Sequence, residues 1–330
     1  MFERVPLPTP FQVGPVNAYV AGRTVVDPGP DSEETREALR DALAERDLAP
    51  DDVAQVLITH PHPDHFGLAS FLRERGASVV ASPDAAPVMR DFPARLDYEQ
   101  TFFSDFFRRC GMAADTADTV TQLPEAFVRY APSVGVDREV SAGDAVDVDG
   151  VDATGGGLEV ADEGRALTVD EVTGHAAGEL LFAFDGEAGR EALVGDNVMA
   201  DITPNPFLQP PPDSGAERPR VLPAYNDSLR RLREAGYDRF HPGHREPVDD
   251  PAGRIDAILA EHDERTDRVA AMLDEPTTPV AVMEELFDDL PVTEQFPGMS
   301  EAVGHLDVLV SRGRALARER DGTLYYERVS

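Results

Sequence analysis

The sequence predicts an α/β protein, and three features lead to this prediction. Residues 33–46 form an amphipathic helical pattern that Ser32 can cap, and the apolar runs at residues 53–58 and 77–81 are typical of buried strands. The first run leads directly into a segment rich in histidine, residues 60–65. Because α/β proteins commonly build sites where strands end, this order of strand and polar cluster also favours the α/β class.

The segment His60-Pro61-His62-Pro63-Asp64-His65 carries three histidines and an aspartate in six residues. Burying several unpaired rings is costly, and these groups suit zinc, iron or manganese, so a metal site is favoured over a solvated polar loop. On an extended segment His60 and His62 point to the same side and can approach one ion. A helix then begins, and Asp64 and His65 at its start can face a second ion. Neither half-site is closed, so further ligands are required.

Three later residues are candidates for those further ligands. His175, Asp196 and His244 each lie just past a strand-like segment and beside a glycine, where the backbone can turn sharply. His241 competes with His244, because the two flank Pro242-Gly243.

Taken in order, these seven residues resemble the ligand set of the metallo-β-lactamase superfamily, and the likeness extends over residues 15–246. The resemblance implies an αββα sandwich with the site at one edge of two packed sheets. It favours His244 over His241, because the family uses the histidine after the Pro-Gly pair. It also implies that one ion is held by His60, His62 and His175. A second ion would be held by Asp64, His65 and His244, and Asp196 would bridge the two.

Three positions depart from the family pattern. Thr173 stands where a proline is frequent, Glu179 where a small or polar residue is frequent, and Arg245 where a glycine commonly follows the last histidine. None of the three removes a ligand.

This site predicts a dinuclear metallohydrolase that attacks an ester or thioester of a small molecule with a metal-bound hydroxide. Asp64 is the candidate catalytic residue, because it could orient the water or carry a proton. Zinc is the expected metal, with iron and manganese as alternatives, since the ligands suit all three. The alternatives are an endoribonuclease for single-stranded RNA, an iron-dependent persulfide oxidation and a regulatory protein with a vestigial site.

The predicted catalytic domain covers residues 1–250 and contains a helical insertion at about 84–133. The aromatic residues of this insertion either line a substrate pocket or pack a cap onto the sandwich. Cys110 within it is expected to be buried and inert. Gly155-Gly156-Gly157 predicts a turn between strands, and the many prolines of residues 201–223 predict an irregular loop.

Residues 251–330 predict a winged-helix-like domain of three helices and a hairpin. The helices are expected at 254–273, 279–286 and 300–310, and Asp321-Gly322 is a hairpin turn signal. Relatives of the mitochondrial endoribonuclease called β-lactamase-like protein 2 carry a similar appendage. Its role is open between packing, homodimerisation and holding RNA. Two helical histidines, His262 and His305, are expected at the surface or as caps.

The amino-acid composition indicates the kind of environment in which the protein works. The chain has 63 acidic and 30 basic residues, a formal charge of −33 and no lysine. This excess predicts adaptation to molar salt, as in haloarchaea, where screening over about 3 Å makes the repulsion tolerable. The alternative is an acidic protein that avoids nucleic acid, and composition alone does not separate the two. No apolar stretch is long enough to span a bilayer and no secretory signal is visible, so a cytoplasmic protein without a membrane partner is expected.

Overall fold

The computed structural model describes residues 2–148, 166–212 and 215–329, so the predicted turn at 155–157 lies outside the described residues. By residue contacts the chain divides into two compact units. Unit 1 contains Met1–Phe92, Phe127–Pro204 and Leu232–Arg254, and unit 2 contains Pro93–Ala126, Asn205–Arg231 and Ile255–Ser330. A compact unit is not by itself a folding domain. The predicted division into residues 1–250, with an insertion at 84–133, and residues 251–330 stays a prediction.

Two β-sheets form the centre of unit 1. The first has six strands in sequence order, antiparallel as far as β3 and parallel from there: β1 (Glu3–Leu7), β2 (Val16–Ala21), β3 (Thr24–Val26), β4 (Gln55–Leu57), β5 (Ser78–Ala81) and β6 (Arg138–Glu139). The second has the order β11-β10-β9-β8-β7: β7 (Ala145–Asp147), β8 (Ala166–Glu171), β9 (Leu180–Gly186), β10 (Gly189–Gly195) and β11 (Arg239–Pro242). In this second sheet only β10 and β11 pair in parallel among the described strands.

Adjacent apolar residues of the first sheet pack in two different layers, because side chains of a strand alternate between its faces. Val25, Val56 and Val79 belong to the core that also contains helix residues such as Leu39. Their chain neighbours belong to the core shared with the second sheet: Val26, Leu57 and Val80 with Leu167, Phe182 and Leu193. Continuous apolar runs are typical of strands buried on both faces, so the short runs in this sequence fit the layered α/β fold.

The first helix begins where the sequence predicts. Ser32 is its N-cap, with the hydroxyl accepting from the amide of Thr35. The bounds of the helices that start before residue 92 are α1 (Glu33–Ala44), α2 (Pro63–Phe66), α3 (Ala69–Arg73) and α4 (Ala85–Arg90). Pro50–Asp52 forms a 3₁₀ turn before β4.

Unit 2 is mostly helical. Its helices, three of which begin or end in unit 1, are α5 (Phe92–Arg109), α6 (Ala114–Gln122), α7 (Val221–Ala235), α8 (Pro251–Ala271), α9 (Pro279–Leu286) and α10 (Gln295–Ser311). Two further 3₁₀ segments are Leu123–Tyr130 and Val292–Glu294. The described part of residues 201–220 contains no helix or strand, so the predicted loop at 201–223 ends three residues early, where α7 begins. Among the described residues, no helix combines the length and apolarity that a bilayer crossing requires.

The aromatic residues of α5 pack into the core of unit 2. Phe103 and Phe107 are fully buried, and both ring centroids lie within 5.2 Å of the Phe296 ring centroid. Cys110 lies in the same core, and burial raises the pKa of its thiol to about 12, so it is the inert thiol that the sequence predicts.

The C-terminal residues form three helices followed by a two-stranded sheet of β12 (Ala315–Arg320) and β13 (Thr323–Arg328). Asp321 and Gly322 both have positive φ, 51° and 79°, which is the backbone of a tight hairpin turn. The bounds of α9 agree with the prediction. Helix α10 begins five residues earlier than predicted, because Pro297 lies in its first turn, where no intrahelical partner for its missing N–H is needed.

The expectation for His262 and His305 was wrong. The two residues are 1% and 0% exposed. His262 Nδ1 donates to Asn226 Oδ1 at 2.7 Å and His305 Nδ1 lies 2.8 Å from Thr266 Oγ1, so both rings belong to a buried polar network. A buried histidine of this kind is held by specific partners, which the helical pattern alone does not reveal.

Candidate metal centre

All seven predicted ligands follow strands or begin a helix at one edge of the two sheets. His60 follows β4, and His62 is the extended N-cap of α2, with φ −85° and ψ 146°. Pro63 opens this helix, where a proline is tolerated, so Asp64 and His65 lie on its first turn. His175 lies in the loop after β8, Asp196 directly follows β10, and His244 lies two residues after the end of β11.

The structure brings these side chains together. Three groups have ligand atoms that lie within 4.8 Å of one another: His60, His62 and His175; His60, His65 and Asp196; and Asp64, His65 and His244. The groups share His60 and His65, so they form one continuous cluster.

Asp196 lies at the middle of this cluster. Its Oδ2 is 3.5 Å from His65 Nε2, 3.5 Å from His175 Nε2 and 3.6 Å from His244 Nε2. These separations are too long for good N–H···O hydrogen bonds, yet they suit groups that converge on a common cation. One carboxylate therefore faces histidines from both predicted half-sites.

Several atoms of the predicted ligands are buried without a hydrogen-bond partner in the described part of the protein. Such atoms show whether the site fits metal ions, because a bound ion would supply the missing partner. Asp196 Oδ1 and the Nε2 atoms of His65 and His244 have no hydrogen-bond partner within the described part of the chain. Buried polar atoms are normally satisfied, and an unsatisfied one costs about 1–3 kcal/mol. The donor set of imidazoles and carboxylates supplies the ligands that divalent metals take, so the residues fit such ions.

The electrostatics divide the cluster into two sides. Burial, followed by the neighbouring histidines, holds the pKa of His60 well below its usual value, and the pKa of His62 falls to about 3. These rings are therefore neutral and offer lone pairs, as metal ligands must. Against the effect of burial, Asp196 and Asp27 raise the pKa of His65 well above its usual value. The part of the cluster around His65 and Asp196 thus favours positive charge, which a cation can supply in place of a proton.

Asp27 orients His65 from outside the cluster. Its Oδ2 accepts hydrogen bonds from His65 Nδ1 at 2.9 Å and Thr59 Oγ1 at 2.6 Å, and its Oδ1 accepts from the Thr59 amide at 2.9 Å. With Nδ1 occupied as a donor, Nε2 is the atom that His65 presents to the cluster. The sequence places Asp27 just after a strand and before Pro28-Gly29, but gives no role to its carboxylate.

Replacing Asp27 with asparagine should weaken metal binding and hydrolysis about 10- to 100-fold, because one carboxylate oxygen that holds His65 and Thr59 becomes an amide. The measurement is metal affinity by competition with a chelating dye, together with kcat/KM. Asp47→Asn is the matched control, since Asp47 also has a positive φ of 57° but is exposed outside the cluster. Equal metal affinity for the two variants would contradict this role.

Glu179 joins two ligand-bearing loops. Its Oε2 accepts from the amide of His175 at 2.9 Å and from Asn197 Nδ2 at 3.3 Å, and it is 3% exposed. Burial raises the pKa of this carboxyl to about 7. The departure from the family pattern at position 179 therefore places an acceptor beneath the His175 loop.

The structure separates the two histidines that flank Pro242-Gly243. His244 Nε2 lies 3.4 Å from Asp64 Oδ2, and its Nδ1 donates to the carbonyl of Pro15 at 2.8 Å. His241 instead donates through Nε2 to Glu191 Oε2 at 2.6 Å, and none of the three metal-binding groups includes it.

Gly243 lets the last loop approach the other ligands. A Cβ atom at this position would lie 2.5 Å from Asp196 Oδ1 and 2.6 Å from His65 Cε1, far inside van der Waals contact. Only glycine leaves room for both ligands.

The fold and this cluster define a hydrolase of the metallo-beta-lactamase superfamily, and the chain belongs to that family. The sequence profile of the family matches residues 12–244. A curated relative, the probable metallo-hydrolase YqjP of Bacillus subtilis (strain 168), is 30% identical over 325 residues, which are 97% of this chain and 96% of the relative.

Solved structures show the same fold. A metallo-beta-lactamase family protein of Thermus thermophilus has a TM-score of 0.78 and 26% identity, and the match covers 99% of this chain and 98% of that protein. A beta-lactamase domain protein of Burkholderia ambifaria has a TM-score of 0.78 and 23% identity, with 99% and 92% covered. The predicted superfamily, fold class and enzyme class are therefore confirmed.

Proposed function

We propose that this protein hydrolyses an ester or thioester bond in a small molecule with two divalent ions, and zinc is the expected metal. The observation that carries this proposal is the position of Asp196 Oδ2, 3.5–3.6 Å from three histidine nitrogens that come from three separate segments of the chain. When bound, such ions lower the pKa of water and polarise a carbonyl oxygen.

The chain would hold the ions in two sets that share Asp196. The first set is His60, His62 and His175, and the second is Asp64, His65 and His244. This division is supported by the three groups described above, in which Asp196 clusters with His60 and His65.

Asp64 is the proposed catalytic residue. It is 8% exposed, and its Oδ2 lies 3.4 Å from His244 Nε2. Burial alone would raise the pKa of this carboxyl, but His65 and His244 lower it below its usual value. Asp64 is therefore ionised near neutral pH, and a carboxylate in this position can orient an attacking water and accept its proton.

A small substrate is favoured over RNA by the surroundings of the C-terminal arginines. Each of the five arginines after residue 311 lies within 3.4 Å of a carboxylate: Arg312 with Asp263, Arg314 with Asp267, Arg318 and Arg320 with Glu327, and Arg328 with Asp274. Binding a phosphate backbone requires basic groups that can replace its counterions. Paired arginines in a chain of charge −33 serve that purpose poorly.

The remaining expectations stay part of the proposal. Three helices followed by a hairpin support a winged-helix-like module in residues 251–330, with packing or homodimerisation as its role. The acid excess and the absence of lysine support a cytoplasmic protein adapted to molar salt, as in haloarchaea.

The test is a comparison of substrates with protein loaded separately with zinc, manganese or iron in molar KCl. We expect hydrolysis of a hydroxyacyl thioester or an aryl ester, no cleavage of labelled single-stranded RNA, and two ions per chain by mass spectrometry. His62→Ala should remove the activity and lower the metal content. RNA cleavage without ester or thioester hydrolysis would contradict the proposal, and so would a well-loaded preparation that retains no metal.

A further inference from the structure

Arg245, directly after the ligand His244, has a backbone conformation that its residue type disfavours. Its φ is 68°, in the left-handed region. Five non-glycine residues in the described part of the chain have positive φ, and the other four are aspartates: Asp27, Asp47, Asp289 and Asp321. Aspartate tolerates this region because its short side chain can hydrogen-bond locally, and arginine has no such compensation.

The surrounding structure fixes this backbone. The carbonyl of Arg245 accepts from Asn17 Nδ2 at 2.8 Å and from Arg4 at 2.9 Å, so the loop conformation is set by its neighbours. Glycine would make the same two hydrogen bonds without strain. The backbone conformation therefore does not account for an arginine at position 245, whereas a role of the arginine side chain would. Strain of this kind clusters at functional sites.

The Arg245 guanidinium is partly exposed and lies near a residue of the segment that follows Asp196. The Arg245 side chain is 40% exposed, and its Nε is 3.9 Å from Oδ1 of Asp201, five residues after Asp196. That distance is longer than a hydrogen bond. Arg36 and Arg73, by contrast, each donate two hydrogen bonds of 2.7 and 2.9 Å to one carboxylate, that of Asp31 and that of Asp137. Within the residues that the structure describes, no side-chain hydrogen bond thus holds the Arg245 guanidinium, which directly follows the ligand His244 in the chain.

We propose that Arg245 binds a carboxylate of the substrate, so that the natural substrate is an anionic ester or thioester. This inference rests on the proposed function. A guanidinium donates two parallel hydrogen bonds to a carboxylate, which gives both affinity and orientation. Asp201, itself 62% exposed, would be displaced from the guanidinium when the substrate binds.

The experiment compares two thioesters that differ only in one group, a carboxylate or its neutral methyl amide. The readout is the ratio of kcat/KM for the two substrates in the wild type, Arg245→Gly, Arg245→Lys and the control Arg40→Gln, an exposed arginine of α1. We expect Arg245→Gly to lower this ratio about 10- to 100-fold, mainly through KM. Arg245→Lys should restore part of it, because lysine keeps the charge but not the fork.

A second readout separates binding from folding. Arg245→Gly relieves the positive φ, so its melting temperature should equal or exceed that of the wild type. A ratio in Arg245→Gly equal to that of the wild type would overturn the proposal.

Turnover of neither thioester by the wild type would contradict the proposed function. Calorimetry with a non-hydrolysable analogue, in which an amide replaces the thioester and the carboxylate is kept, then decides this inference. Weaker binding to Arg245→Gly than to the wild type supports it, and equal binding overturns it. Tighter binding of a matched phosphate analogue would overturn the assignment of a carboxylate.

Discussion

Asp196→Ala should abolish hydrolysis. We expect kcat/KM to fall by much more than about 100-fold, which is the loss caused by replacing a residue that only hydrogen-bonds to a metal ligand. The Asp196 carboxylate faces His65, His175 and His244 at 3.5–3.6 Å. Without it, two cations would lose the negative charge between them and would repel each other in a buried site. The measurements are kcat/KM and bound metal per chain.

The control for this variant is Asp185→Ala, which removes an exposed aspartate of β9. It should retain both ions and activity close to that of the wild type. Two tightly bound ions in Asp196→Ala, with activity within tenfold of the wild type, would refute the bridging position.

The second large effect is expected from the pair His244→Ala and His241→Ala. His244→Ala should lose one of two ions and more than about 100-fold in kcat/KM, because His244 faces Asp64 and Asp196. His241→Ala should keep both ions and lose about 1–3 kcal/mol of unfolding free energy, because it leaves the buried Glu191 carboxylate without this donor.

Metal analysis, steady-state kinetics and thermal denaturation of both variants test this difference. The two histidines are three residues apart, His241 in β11 and His244 in the loop after it, so both substitutions fall in one short segment. Metal loss in His241→Ala with full loading of His244→Ala would reverse the assignment.

The sequence was sufficient to predict that these seven side chains come together, and their role as metal ligands stays a prediction. A dense motif, His60 to His65, fixes four of them locally, and each later candidate follows a strand end beside a glycine. Strand ends of packed sheets meet at a common edge, so chain order is a good guide to spatial proximity here.

The supporting residues were harder to predict. Asp27 and His65 are 38 positions apart, and their contact depends on the left-handed backbone at Asp27. Glu179 looked like a departure from a pattern, although its carboxylate supports the His175 loop. Such roles arise from tertiary hydrogen bonds, which single-sequence patterns do not encode.

Helix patterns also failed to reveal which polar residues are buried. His262 and His305 were expected at the surface, yet both are buried, and their Nδ1 atoms contact Asn226 and Thr266 in the interior. Likewise, residues 93–126 share a compact unit with residues after 255, a grouping that depends on contacts between distant segments. Hydrophobic periodicity indicates that a helix has an inner face, but not which partner covers it.

The tight contact at Gly243 limits how this centre can be redesigned. Even a methyl group there would force Asp196 or His65 to move, so a substitution at position 243 would disturb the cluster itself. The proposed role of Arg245 makes the neighbouring position 245 the place where variation would alter substrate choice while keeping the ions. If the proposed role of Arg245 is correct, metal binding and substrate selectivity depend on different residues of one short loop, and directed evolution could change the second while leaving the first intact.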